Sequence, residues 1–178
     1  MDKTVAAAPT AIERLTRRAW LVGGGVVAAA GVLWWMQDDA VHAGPFEVEK
    51  NDQEWRRILS GPAYYVLRQH GTERPYSSPL NGEKRAGTFN CAGCDLPLFA
   101  SDTKYESGTG WPSFFRPLAH AVRTRTDRSM LMTRTEVHCR RCGGHLGHVF
   151  EDGPKPTGLR YCMNGVAMRF EPLVRGPG

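Results

Sequence analysis

Two pairs of cysteines with the spacing Cys-x-x-Cys constrain the fold of this chain more than any other feature. The first pair is Cys91 and Cys94, the second is Cys139 and Cys142, and turn-forming residues follow each pair. Two such pairs supply four thiolates, the donor set of a tetrahedral structural zinc site. Because 44 residues lie between Cys94 and Cys139, one metal ion would join two distant parts of the chain. The spacing predicts one Zn²⁺ with a structural role, since no coordination position is left open for catalysis.

The same cysteines would also be compatible with two disulfides or with redox-active pairs, and the sequence alone leaves these alternatives open. Disulfides are typical of oxidising compartments. These pairs, however, lie in glycine-containing turns between predicted strands, whereas a redox-active Cys-x-x-Cys usually begins a helix. We predict zinc because two matched pairs occur together.

The first part of the domain is predicted to be a short helical lead-in. Asn51 is a candidate N-cap for a first helix, whose apolar face would carry Trp55, Ile58 and Leu59. Pro62 can open a second helix that ends near Gly71.

Beyond Leu80 the chain changes to short apolar runs separated by glycine and proline, which is typical of strands. The predicted strands are Gly87–Cys91, Leu96–Ala100, Ala119–Thr124, Met130–Cys139, His148–Phe150 and Val166–Phe170. Several of them alternate apolar and polar residues, as a half-buried antiparallel sheet requires. The predicted fold is therefore mainly β, with two antiparallel sheets.

Residues 1–43 are predicted to be an export leader and residues 44–178 a single domain. A basic start precedes the uncharged 18-residue stretch Ala19–Met36, and small residues follow it. The adjacent pair Arg17 and Arg18 resembles a twin-arginine signal, which predicts a periplasmic protein. The alternative is an uncleaved membrane anchor, since 18 residues lie at the lower limit for a membrane-spanning helix.

The net charge of +5 belongs to the domain, because acidic and basic residues of the leader cancel. The arginines are scattered among acidic residues and no lysine-rich block occurs. This pattern indicates a solvated surface rather than a nucleic-acid interface. We expect a monomer that contacts a membrane only through its leader.

Cys162 is the fifth cysteine and has no obvious disulfide partner. Arg160 would share its face of a strand, and His145 and His148 precede it in a glycine-rich run. Positive groups favour a thiolate, and histidine can act as a general acid near neutral pH. Cys162 is therefore a candidate nucleophile, although a buried, unreactive cysteine and a purely structural His148 also fit the pattern.

The segment 107–115 is a second unusual feature. Glycines lie on both sides of Thr109, and Pro112 follows Trp111, so an irregular loop that presents aromatic rings is predicted. Such a loop would line a pocket for a small apolar group or cover the core, and the sequence does not decide between the two.

These segments together resemble a known family. The motifs GTERPYSSPL, CAGC, SGTGWPSF and CRRCGGHLGHVFEDGPKPTGLRYCMN are similar, in order and spacing, to those of the B-type methionine sulfoxide reductases, the peptide-methionine (R)-S-oxide reductases. The resemblance extends from about Asp52 to Phe170. It implies two antiparallel sheets, a zinc ion held by the four paired cysteines, and reduction of methionine (R)-sulfoxide in oxidised proteins.

The resemblance also implies residue roles. Cys162 would attack the sulfoxide sulfur, and Trp111 would pack on the substrate methyl group. His145, His148, Arg160 and Asn164 would surround the sulfoxide and the thiolate. We expect His145, assisted by His148, to protonate the departing oxygen, which leaves Cys162 as a sulfenic acid.

Two positions depart from the family pattern. Many members have a resolving cysteine where this chain has Thr109, so an external thiol such as a thioredoxin-like protein is expected to reduce the sulfenic acid. Gly165 stands where a serine is usual, and a modest effect on rate is expected. The rival interpretation, a non-enzymatic zinc-bridged module that binds peptide or nucleic acid, leaves Cys162, His145 and Trp111 without a role.

Overall fold

The helical lead-in begins at the N-cap that the sequence predicts. In the computed structural model, which describes residues 46–174, helix α1 spans Asp52–Ile58 and helix α2 spans Gly61–Gln69. The Asn51 side chain accepts a hydrogen bond from the Glu54 N–H at 3.0 Å, and the Glu54 carboxylate accepts one from the Asn51 N–H at 2.8 Å. This reciprocal capping box fixes the start of α1.

The apolar face of α1 is only partly as predicted. Trp55 and Leu59 are buried, but Ile58 is 51% exposed, so its assignment to the core-facing side is wrong. Helix α1 has only seven residues, too few turns to bury a wide face. Helix α2 ends at Gln69, where His70 takes a left-handed conformation as the C-cap.

Nine strands follow, numbered β1 to β9 in chain order. They are Gly87–Cys91, Pro97–Ala100, Lys104–Tyr105, Ser113–Phe114, Val122–Asp127, Arg134–Cys139, His145–Phe150, Arg160–Met163 and Met168–Pro172. A single turn of 3-10 helix, Pro79–Asn81, precedes β1, and three more, Ser101–Thr103, Ser129–Leu131 and Gly165–Ala167, lie between strands.

The strands form two antiparallel sheets, which confirms the predicted fold class. The smaller sheet has the order β2-β1-β9, and the larger has the order β3-β4-β8-β7-β6-β5. Strand β8 therefore lies inside the larger sheet, with β4 on one side and β7 on the other.

Aromatic side chains join the two sheets. Phe114 of the larger sheet stacks on Phe99 of the smaller sheet, with ring centroids 4.3 Å apart, and meets Phe89 edge-on at 4.9 Å. All three rings are fully buried, and each such pair adds about 0.5–1.5 kcal/mol beyond its area burial. Val66 and Leu67 of α2 belong to the same core.

The predicted leader, residues 1–43, lies outside the described residues. Within residues 46–174, no helix is both long enough and apolar enough to cross a membrane.

Candidate active site and metal centre

The four paired cysteines meet in one cluster. Their sulfur atoms all lie within 4.8 Å of one another, with Cys91 and Cys142 3.7 Å apart and Cys94 and Cys139 3.5 Å apart. A tetrahedral zinc with Zn–S bonds of about 2.3 Å places its sulfurs about 3.8 Å apart. All four are free thiols in the structure, too widely separated for disulfide bonds. The donor set and its spacing fit a structural metal ion.

The cluster connects the two sheets. Cys91 ends β1 of the smaller sheet, and Cys139 ends β6 of the larger one. Each pair closes a tight turn, in which the N–H of Asp95 bonds to the carbonyl of Cys91 and the N–H of Gly143 to that of Cys139, both at 2.9 Å. Local turn chemistry therefore aims each pair of thiols inward.

Cys162 lies on the internal strand β8, away from the cluster. In the strand register it stands directly opposite His148 of β7 and Ser113 of β4. Residues directly opposite in antiparallel strands project from the same face of the sheet. The thiol is therefore flanked on both sides, and it is half-buried.

A chain of hydroxyl groups ends at this thiol. Ser113 Oγ lies 2.7 Å from Ser107 Oγ, which lies 2.8 Å from Thr109 Oγ1. Thr109 Oγ1 in turn lies 3.8 Å from Cys162 Sγ. Positive φ angles at Gly108 and Gly110, of 72° and 92°, let the loop turn Thr109 toward the thiol.

Burial and charge act in opposite directions on Cys162. Burial raises the pKa of its thiol above the ordinary value of 9.0, while the Thr109 hydroxyl and the Arg160 guanidinium lower it, and burial prevails. Two hydrogen bonds of 2.8 Å to Asp152 hold Arg160, which also stacks over the ring of Phe150 at 4.3 Å.

The thiol opens into a cavity of about 120 Å³. The residues that line it are Thr72, Trp111, Arg134, Gly147, His148, Phe150, Cys162 and Asn164. The wall combines two aromatic rings with one histidine and a few polar groups, a composition suited to a small ligand with one apolar and one polar end.

The Trp111 ring is held in place by the segment that begins at Thr72. Its Nε1–H donates to the Glu73 carbonyl at 3.2 Å. The Glu73 side chain accepts hydrogen bonds from the N–H groups of Gly165 and Val166, just after Asn164. Burial raises the pKa of Glu73, and these two bonds oppose the rise. Glu73 thus ties the aromatic loop to the turn that follows Cys162.

Asn164 is buried, and both ends of its side-chain amide form hydrogen bonds that connect these segments. Its Oδ1 accepts from the Glu73 N–H at 2.9 Å, and its Nδ2 donates to the Leu146 carbonyl at 3.0 Å. A Cβ atom at Gly165 would lie 1.9 Å from Ser78 Oγ, so the space of a larger residue is already filled by Ser78.

His148 is oriented by a carboxylate. Its Nε2 lies 2.8 Å from Asp127 Oδ2, and Asp127 also accepts from the Ser129 N–H and from Arg134, both at 2.8 Å. The hydrogen bonds from Ser129 and His148 keep the pKa of Asp127 well below its usual range. Burial lowers the pKa of His148, with Asp127 acting in the opposite direction.

His145 occupies a different place from the one expected for a group in contact with the sulfoxide. It is 3% exposed, and it lines a neighbouring cavity rather than the one that holds the thiol. Its Nδ1 lies 2.7 Å from Glu136 Oε1, and its ring centroid lies 5.4 Å from that of His148. The structure therefore puts His145 directly behind His148.

Of the six side chains expected around the reaction centre, four line the thiol cavity: Trp111, His148, Cys162 and Asn164. Arg160 acts on the thiol through its charge, and His145 stands in the second layer. Sequence reasoning missed Glu73, Asp127 and Glu136. Glu73 lies within a motif that carries the family resemblance, so that signal was present; for the other two, only the antiparallel pairing of β5, β6 and β7 reveals their partners.

The chain is similar to known proteins over most of its length. The SelR domain family matches residues 59–172 of the chain. The peptide methionine sulfoxide reductase MsrB of Agrobacterium fabrum is 53% identical over 128 residues, which cover 71% of this chain and 95% of that protein. The enzyme of the same name from Methanosarcina barkeri is 55% identical over 130 residues, which cover 72% of this chain and 92% of that protein. The chloroplastic peptide methionine sulfoxide reductase B1 of Arabidopsis thaliana is 47% identical over 136 residues, which cover 72% of this chain and 67% of that protein.

Proposed function

Since the chain belongs to the SelR-domain family of B-type peptide methionine sulfoxide reductases, we propose that it reduces methionine (R)-sulfoxide in oxidised proteins with Cys162 as the nucleophile. The family makes it an oxidoreductase. The observation that carries the assignment of the nucleophile is the Cys162 thiol, which faces a cavity walled by Trp111 and His148 and lies apart from the metal cluster.

The cavity supports a division of the substrate into an apolar and a polar end. The methyl group of the sulfoxide packs on the Trp111 ring, and the oxygen points toward His148. The Cys162 thiolate attacks the sulfoxide sulfur while a proton is delivered to the oxygen. Methionine leaves, the oxygen stays on Cys162 as a sulfenic acid, and the sulfur of the substrate is reduced by two electrons.

The histidines divide the proton delivery between them. His148 is the nearer group, since it lines the thiol cavity, and Asp127 fixes its ring. His145, expected to donate the proton, supports this step from behind His148. An aromatic wall on one side and a proton donor on the other favour one sulfoxide epimer, and the resemblance to the B-type reductases implies that it is the R form.

The sulfenic acid is reduced by an external thiol, such as a thioredoxin-like protein. The group beside Cys162 is the Thr109 hydroxyl, where a resolving cysteine would stand. The other cysteines all belong to the four-thiol cluster. An internal disulfide would therefore require the loss of a metal ligand.

The four-thiol cluster holds one structural Zn²⁺, and the export leader directs the domain to the periplasm. The cluster geometry supports zinc, whereas export rests on the sequence of the first 43 residues alone. The domain acts as a monomer on oxidised proteins and peptides and does not bind nucleic acid.

One assay tests the proposal. Peptides with either R or S methionine sulfoxide are incubated with the enzyme and a small dithiol, and the methionine formed is measured. Reduction of the R peptide alone is expected, with the Cys162→Ser variant reduced to background while its zinc content and melting temperature stay unchanged. Full activity of Cys162→Ser would remove the assigned nucleophile and revive the interpretation as a binding module.

A further inference from the structure

A second, larger cavity adjoins the thiol cavity and shares three wall residues with it. Its volume is about 580 Å³, and the shared residues are Thr72, Arg134 and His148. The proposed reaction uses His148, supported by His145, from the wall of this cavity, and it gives no role to His70. The wall also carries a cluster of potential metal ligands.

The cluster consists of His70, Glu136 and His145, whose donor atoms all lie within 4.8 Å of one another. Glu136 Oε1 is at the centre, 2.7 Å from Nδ1 of His145 and 3.1 Å from Nδ1 of His70. The three residues come from the C-cap of α2, from β6 and from β7, so the fold brings them together from remote parts of the chain.

Two histidines and one carboxylate are the donor set of many zinc sites that keep an open fourth position. With metal–ligand bonds of about 2.0–2.2 Å, tetrahedral donors lie about 3.4 Å apart, so Glu136 Oε1 must move away from Nδ1 of His145 by about 0.7 Å and from Nδ1 of His70 by about 0.3 Å. Both imidazoles already turn Nδ1 toward the same carboxylate oxygen of Glu136. The second cavity leaves room for a water molecule as the fourth ligand.

We propose that His70, Glu136 and His145 form a second site for a divalent transition-metal ion, distinct from the four-thiol cluster, and that an ion bound there inhibits the enzyme. The ion would replace the protons that Glu136 now shares with the two imidazoles. It would fix His145 on the metal and place two positive charges beside His148.

The charges around the site set its strength. Burial raises the pKa of Glu136, but hydrogen bonds from His145 and Arg125 outweigh it and lower the pKa to about 2, so the carboxylate is ionised at neutral pH. The Arg125 guanidinium contacts Glu136 Oε2 and lies 3.4 Å from Nε2 of His70. This positive charge competes with a cation, so the site is weaker than the cluster of four thiolates, and it becomes stronger when Arg125 is removed.

His70 provides a selective test, because its side chain is 51% exposed and takes no part in the proposed reaction. His120 is a matched control: it is also exposed, and its φ of 54° is close to the 56° of His70. Asparagine tolerates this left-handed conformation and is a weak zinc ligand, so His70→Asn and His120→Asn change the two sites in the same way.

The binding arm uses the full chain, already loaded with one zinc per molecule, in the Cys162→Ser background so that the thiol cannot act as a ligand. After equilibrium dialysis against added Zn²⁺, zinc is counted by mass spectrometry. Two zinc ions per chain are expected in the Cys162→Ser protein. Adding His70→Asn should reduce this number to one, whereas adding His120→Asn should leave it at two. If the Cys162→Ser protein still holds a single zinc after dialysis, or if the protein with His70→Asn added holds two, the site is overturned.

The inhibition arm rests on the proposed function and uses single turnover without added thiol, because dithiols chelate zinc. Added Zn²⁺ is expected to slow methionine formation in the wild type and in His120→Asn. His70→Asn should need at least about tenfold more zinc for the same inhibition, since loss of even an outer partner of a metal site costs about 10–100-fold in affinity. Arg125→Ala should need less zinc than the wild type for the same inhibition.

The two arms distinguish a failure of the metal site from a failure of the proposed reductase activity. Unchanged inhibition of His70→Asn would mean that zinc acts at Cys162 and His148, and it would overturn the inhibitory role. If no methionine forms in any variant, the proposed reductase activity fails, and the dialysis result still decides whether the metal site exists.

Discussion

The reactivity of Cys162 depends on a balance between burial and the residues around it. Burial disfavours the thiolate, whereas the Arg160 charge and the Thr109 hydroxyl favour it. Because burial prevails, the free enzyme holds mostly the protonated thiol at neutral pH. In the proposed mechanism, activation therefore comes with the substrate, whose oxygen takes up a proton as the thiol loses one.

The alkylation rate of Cys162 by iodoacetamide should reveal this balance. Only the thiolate reacts, so a raised pKa predicts a rate that keeps increasing as the pH passes 9.0. Arg160→Met removes a stabilising charge, raises the pKa further and should slow alkylation at pH 8, by up to about tenfold for each unit of pKa. Peptide mass spectrometry distinguishes Cys162 from the metal-bound cysteines.

Arg116→Met serves as the control, because Arg116 is exposed and its guanidinium lies over the ring of Phe115, away from the thiol. Its alkylation profile should match that of the wild type. An alkylation rate that levels off well below pH 9, or one that Arg160→Met leaves unchanged, would contradict the assigned balance.

Thr109 determines how the proposed sulfenic acid at Cys162 would be reduced. Its Oγ1 lies 3.8 Å from Cys162 Sγ, so Thr109→Cys would place a thiol within reach of the oxidised sulfur after a small rotation. We expect the introduced thiol to form a disulfide with Cys162 after one turnover, whereas the wild type keeps a sulfenic acid that dimedone labels. Equal dimedone labelling of both proteins would show that the loop holds this position too far from Cys162.

At the scale of secondary-structure elements, the approach of β7 to β8 positions the reaction centre. A Cβ atom at Gly147 would lie 2.1 Å from the carbonyl oxygen of Cys162 and 3.0 Å from the Cα of Met163. Only glycine allows the two strands to pair at this point, directly beside the register pair His148 and Cys162. Gly147 is therefore part of a strand, whereas Gly143 and Gly144 precede it.

Gly147→Ala is expected to push β8 away from β7 and to displace Cys162. Overpacking of this kind costs about 1–3 kcal/mol of unfolding free energy, and the single-turnover rate should fall with it. Gly82→Ala is the control, since a Cβ there would meet only Pro79 O at 3.9 Å. Urea denaturation and single-turnover assays measure both effects, and wild-type stability and rate in Gly147→Ala would refute the close approach.

The sequence pattern located six of the nine strands in residues 46–174 but missed β3, β4 and β8, and it began β7 at His148 instead of His145. Strand β1 has the predicted bounds, while β5, β6 and β9 begin later than expected because turns precede them, with a positive φ at His120 before β5 and at Leu131 before β6. Strands β3 and β4 have two residues each, too few for any pattern, and exist only because neighbours pair with them.

The site, like the short strands, could be predicted only where local sequence carries the signal. Residue types identified Cys162, His148 and Trp111, since their chemistry is visible without a structure. The layer behind them depends on pairing between remote strands, so the link between Glu136 and His145 could not be predicted from local sequence. For the same reason, the expectation that His145 contacts the sulfoxide stays a prediction, although the structure puts His148 nearer to the thiol.

At the scale of the whole molecule, the four-thiol cluster joins two sheets that otherwise meet through their aromatic core. Cys91 and Cys94 border the turn between β1 and β2, and Cys139 and Cys142 border the turn between β6 and β7. A single ion bound there would close a loop of more than forty residues, which lowers the conformational entropy of the unfolded chain. The reaction centre on β8 lies in the larger sheet, so its geometry depends on this connection.

Removal of the metal should therefore abolish the folded state rather than merely slow the reaction. Structural zinc sites contribute about 10–16 kcal/mol in small domains, which equals or exceeds the net stability of about 5–15 kcal/mol of a typical domain. With a strong chelator we expect loss of one zinc per chain, of the near-ultraviolet circular dichroism signal and of cooperative melting, all restored by added Zn²⁺. Cys94→Ser, which leaves three ligands, should melt at a lower temperature, whereas Cys162→Ser should keep its zinc and melt like the wild type. A metal-free protein that still melts cooperatively at the wild-type temperature would show that the aromatic core alone holds the two sheets together.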